Sequence, residues 1–170
     1  MLLRVGRIDQ IHWKTVFRIV VPLAAAVGLL TLGRSPFGYL LLLPGGVVLA
    51  VHIYRLRQPF ALRAWQGAKV GLCTGVLSVA FFAVFLVAEA GINPALYRQN
   101  AEETIRTIKE RQASNPSPDV ERLLEKLSDP QKGLVLSGIL EVLSAAMFLP
   151  LTGGIAGAVA ASLMKSRATQ

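Results

Sequence analysis

Charge and cysteine are both scarce in this chain. Only 16% of its 170 residues are charged, against about 25% in an ordinary soluble domain. Cys73 is the one cysteine, set inside an apolar stretch. A single thiol excludes an internal disulfide and a C-x-x-C metal pair, and it leaves a buried structural thiol as the reading. Also missing are H-E-x-x-H, G-x-S-x-G, a P-loop lysine and a dinucleotide fingerprint. His12 and His52 stand at the edges of apolar stretches with no further ligand at metal spacing. No catalytic residue, metal or cofactor is therefore assigned. A soluble enzyme, a disordered chain and a disulfide scaffold are all excluded, because 53% of the residues are hydrophobic and the mean hydropathy is +0.52.

What is present is a set of long apolar runs. They cover about residues 16–32, 36–54, 68–90 and 134–164. A spanning helix needs about 20 mostly apolar residues, and a backbone in lipid must satisfy its own hydrogen bonds. The expected fold is therefore an all-α polytopic membrane protein with four transmembrane helices. Residues 1–15 precede the first span and 165–170 follow the last. The first run, preceded by basic residues and lacking an A-x-A-like site, reads as an uncleaved signal anchor. The second run contains Pro44-Gly45-Gly46, which predicts a bent, closely packed helix, or else a ligand-lining break of the kind transporters use.

Residues 93–132 form the one polar segment, and it predicts an extramembrane helical hairpin. Asn93-Pro94 suits a helix start, and Tyr97, Ala101, Ile105 and Ile108 make one apolar stripe. A turn at 114–118 leads to a second short helix capped by Ser117, with a stripe of Val120, Leu123, Leu124 and Leu127. The two stripes have to bury against each other, a partner or the membrane surface.

The net charge of +8 does not mark a nucleic-acid binder, because the hairpin is neutral and the excess flanks the apolar runs. Arg4, Arg7, Lys14, Arg18, Arg55, Arg57, Arg63, Lys69, Lys165 and Arg167 fall on one side of a four-span chain. The positive-inside rule then puts both termini in the cytoplasm and the hairpin outside.

Two further patterns single out residues. Gly67, Gly71 and Gly75 recur every fourth position in the third run, and Gly153 and Gly157 do so in the fourth. Small residues at that spacing let helices approach closely in lipid, so the third and fourth spans are expected to meet there, or to meet a second copy. Glu89 and Glu141 are the acids near the outer ends of these spans, and Arg34 emerges on the same side. Counting inward from Gln66 and Lys165 puts both acids at one interfacial depth. They read as an anchoring pair with Arg34 or Lys132 as counter-charge, or as a polar or ion site. A re-entrant break at 150–154 would instead bury Glu141.

The layout resembles small bacterial four-span inner-membrane proteins grouped only as a domain of unknown function. The likeness covers about residues 50–167 and rests on YRLRQPF, GAKVGLCTG, SNPSPDVERLLEKLSDP and GGIAGAVAASLMKSR. It implies four transmembrane helices and an inner-membrane location. It implies no activity, cofactor or functional residue. The expected role is thus a structural or interaction protein of the bilayer, partnered by lipid and by a second copy or another membrane protein. The alternative is a small transporter or channel subunit.

Overall fold

The computed structural model describes residues 11–31, 41–57, 62–114, 116–127 and 130–166. All regular structure among them is helical. The elements are α1 (Trp13–Thr31), α2 (Leu43–Leu56), α3 (Ala64–Ile92), α4 (Pro94–Ser114), α5 (Pro118–Leu127) and α6 (Pro130–Ser166).

α1, α2, α3 and α6 pack together, each running opposite to the one before it. At one end the backbone N–H of His12 donates to Tyr54 Oη at 3.1 Å, joining the start of α1 to the end of α2. Gly46 at the start of α2 lies against Val27 near the end of α1, and Gly28 lies against Ser78, Phe81 and Phe82 of α3. α1 and α3 therefore run in parallel, and α2 and α6 return. The shared core holds Val16, Val20, Leu43, Val47, Phe82 and Leu149, all at most 1% exposed.

Three of these helices, among the described residues, are long and apolar enough to cross a membrane: Trp13–Leu30, Ala64–Ile92 and Gly133–Met164. α2 is shorter. Its 14 residues rise about 21 Å, against a hydrocarbon core of about 30 Å. The first part of the run expected at 36–54 lies outside the described residues, as does Arg34.

Many large side chains of the long helices point outward. Leu72, Val76, Val84 and Val87 of α3, and Val135, Ile139, Met147 and Ile155 of α6, are exposed. The buried positions of α3 include Gly67, Gly71, Thr74, Gly75 and Ser78. In water an apolar surface of this extent would exceed the few hundred Å² that monomers tolerate. In lipid it is the expected exterior, with small residues inside where helices meet.

Pro44 stands in the first turn of α2, directly after a π-helical turn at 41–42, and its missing N–H is one that a helix start leaves unbonded in any case. A Cβ at Gly45 would meet open space, and only Gly46 makes a close approach, with a Cβ 3.1 Å from Val27 Cγ2. At Pro150 the re-entrant alternative fails. α6 is one continuous 37-residue helix with Pro150 inside it. It rises about 55 Å. Thr152 follows, its Oγ1 donating to the Phe148 carbonyl at 2.7 Å within the same turn.

α4 and α5 form a hairpin that folds back onto the α3/α6 end. Asn93 Oδ1 accepts from the Leu96 N–H at 3.2 Å, the capping bond that starts α4. The turn between the two helices is closed by one side chain. Gln112 Nε2 donates to the Ser117 carbonyl at 2.9 Å, and the Ser117 N–H donates to Gln112 Oε1 at 3.1 Å. The two apolar stripes supply the covered side chains, with Ala101 and Leu127 fully buried and the others partly so. They cover each other and the first turns of α6.

Candidate functional site

Two places gather the residues that the sequence singles out. The first is the α3/α6 seam. A Cβ built on Gly67 would fall on the Gly157 carbonyl oxygen, one on Gly71 on that of Gly153, and one on Gly75 on that of Leu149. The reverse substitutions at Gly153 and Gly157 would meet the Gly71 and Gly67 carbonyls. Glycine at these positions is thus a steric requirement, with backbone lying on backbone over two turns of each helix. Such proximity maximises van der Waals contact, the main attraction available between helices in lipid. The faces expected to meet, within the chain or across two copies, meet here within one chain.

Other close approaches were not foreseen. A Cβ at Gly28 would stand 2.9 Å from Phe81 Cβ and 3.0 Å from the Phe82 nitrogen. One at Gly133 would meet the Leu127 carbonyl, and one at Gly138 would stand 2.6 Å from Tyr97 Oη. Ala24 four residues before Gly28, and Ser137 four residues after Gly133, carry the same small-residue spacing that marks the main seam. That spacing could have found the first two. Gly138 has no such partner.

The second place is polar and lies where α4 crosses α3 and α6. Asn100 Nδ2 donates to Glu89 Oε1 at 3.4 Å, a long bond. One turn further along α4, the Thr104 hydroxyl lies 3.2 Å from Glu141 Oε1 and 3.1 Å from the Asn100 carbonyl, and its one proton serves either acceptor. Tyr97 Oη donates to the Leu134 carbonyl at 2.8 Å, an acceptor it shares with Ser137 Oγ at 2.9 Å. One face of α4, at positions 97, 100 and 104, therefore ties α3 to α6. Glu89 Oε2 is buried with no hydrogen-bond partner among the described residues.

The two carboxylates do not share one depth. The seam pairs residues 67 with 157, 71 with 153 and 75 with 149, and Gly138 continues the register with a Cβ 3.6 Å from Leu86. Glu89 then lies level with residue 135, and Glu141 level with residue 83. Six residues of helix separate them, about 9 Å. Counting inward from Gln66 and Lys165 misleads because α6 runs on past the start of α3, so those two residues are not level. The counter-charges expected for the pair, Arg34 and the Lys132 side chain, lie outside the described residues. Cys73, read as a buried thiol, is half-buried on α3.

Comparison with protein-family models, with the curated proteins and with the solved structures finds no match.

Proposed function

We propose that this chain is a multi-pass protein of the bacterial inner membrane with a structural or interaction role. In this reading all four apolar helices cross, the second with the help of the residues before α2. Both termini lie in the cytoplasm and the α4–α5 hairpin lies outside. The observation that carries the reading is the α3/α6 seam. Backbone packed on backbone over two turns ties two of the spans together and leaves no path for solute between them at that level. The outward-facing apolar surface supports the bilayer setting, and the basic residues at the start of α1 and α3 support the orientation. The protein partner would be a second copy or another membrane protein. With the glycine faces used within the chain, it would have to engage a different surface.

One observation favours the transporter alternative, the buried Glu89 Oε2 without a partner among the described residues. Proteoliposomes loaded with a pH-sensitive dye and polarised with a potassium gradient separate the two. The structural reading expects a proton leak equal to that of empty liposomes. A leak above that background, abolished by Glu89→Gln or Glu141→Gln, contradicts it.

A further inference from the structure

A groove of about 630 Å³ runs between the first turns of α1 and the second to fourth turns of α3, with Trp13 and Phe17 on one wall and Lys69, Leu72, Val76 and Leu77 on the other. Gly154 of α6 lines its far edge, where a Cβ would have nothing nearer than the Ala68 carbonyl at 3.9 Å. From Lys69 to Leu77 the groove follows eight residues of helix, about 12 Å measured inward from the bundle end. Below its mouth the groove is lined almost wholly by apolar side chains.

The mouth is different. Lys69 is its one charged lining residue, and Nζ sits 4.4 Å from the centroid of the Trp65 ring, back toward the start of α3. The ammonium thus snorkels to the level where the chain leaves the apolar zone. Trp13 and Trp65, 46% and 40% exposed, flank it at that level, the depth at which tryptophans line membrane–water interfaces. Lys14 and Arg18 stand beside Trp13 and Phe17 on the same two turns of α1, both exposed. Neither α1 nor the first 25 residues of α3 contains an acid to neutralise them.

We propose that this groove binds one anionic phospholipid, its phosphate at Lys69 between Trp13 and Trp65 and an acyl chain along Phe17, Leu72 and Val76 over Gly154. The charge selects the occupant. A second copy would bring its own basic end against this one, and a zwitterionic lipid would leave the lysine uncompensated. Basic pockets between helices at a membrane face take anionic headgroups by this complementarity. The proposal needs only the bilayer setting of the reading above and is independent of the role and orientation assigned there.

The test uses the full chain in neutral detergent, offered equal amounts of phosphatidylglycerol and phosphatidylcholine with identical acyl chains and examined by native mass spectrometry. The wild type is expected to retain phosphatidylglycerol preferentially. Lys69→Gln should lower that retention about fivefold, the effect of one lysine near an anionic surface, while Lys69→Arg keeps it. Gly154→Val, which has room, should lower retention of both lipids by filling the groove where Gly154 lines it. Equal retention of the two lipids by the wild type overturns the proposal, as does unchanged retention in Lys69→Gln or Gly154→Val. A lipid-free dimer lost on Gly154→Val would give the groove to a second copy and overturn it equally.

Discussion

Single atoms decide the sign of substitution at the buried small residues. At Gly71 a side chain has no space to enter, because the Gly153 carbonyl occupies the position of its first carbon. Gly71→Leu and Gly157→Leu should each force the two helices apart and cost at least about 2 kcal/mol, as in overpacked cores, read as earlier unfolding in a detergent titration. Equal stability of both variants would show that these glycines are not at a contact. Ser78 behaves oppositely. Its hydroxyl is fully buried with no partner among the described residues, so Ser78→Ala removes an unsatisfied group and should leave stability unchanged or raise it by about 1 kcal/mol. The glycine spacing was legible in the sequence because small residues every fourth position report directly on a helix face. The carboxylates were less legible. Glu89 and Glu141 can be named from the sequence, but their partners Asn100 and Thr104 come from a third helix whose placement no periodicity encodes.

Elements were easier to find than to measure. The hairpin stripes at 97–108 and 120–127 coincide with the buried sides of α4 and α5, since an amphipathic pattern states which side must be covered. It does not state by what. The answer is the other stripe and the first turns of α6, reached through Tyr97. Tyr97→Phe deletes the bond to the Leu134 carbonyl but keeps the ring, and should cost about 1 kcal/mol. Because the bonds that tie α4 to α6 lie in its first half, the loss should show as faster hydrogen exchange in α4 with little change in α3. Uniform acceleration in both helices would instead make the hairpin part of the bundle's cooperative unit. Proline is ambiguous at this scale, because a Pro-Gly-Gly triplet is compatible with a mid-helix break and with a helix start. Pro150 shows the converse, lying inside a continuous helix whose neighbours hold it.

For the whole molecule, the α3/α6 contact is an inverted pattern, with small residues inside and many large apolar ones outside. That pattern follows from the sequence in outline, because four apolar runs alternating with polar segments can pack only a few ways. The antiparallel order of α1, α2 and α3 does follow from short connections. The mutual register of α3 and α6 does not, since a helix longer than the bilayer can slide, and the seam glycines alone fix it. The central claim is that this bundle crosses the membrane with its hairpin outside and its chain ends within. Single cysteines at Ser114 and Thr169, in a Cys73→Ser background, test it most directly in spheroplasts treated with a membrane-impermeant maleimide. The account predicts that Ser114→Cys labels in intact spheroplasts and that Thr169→Cys labels only after lysis. Labelling of Thr169→Cys from outside, or protection of Ser114→Cys until lysis, would contradict it.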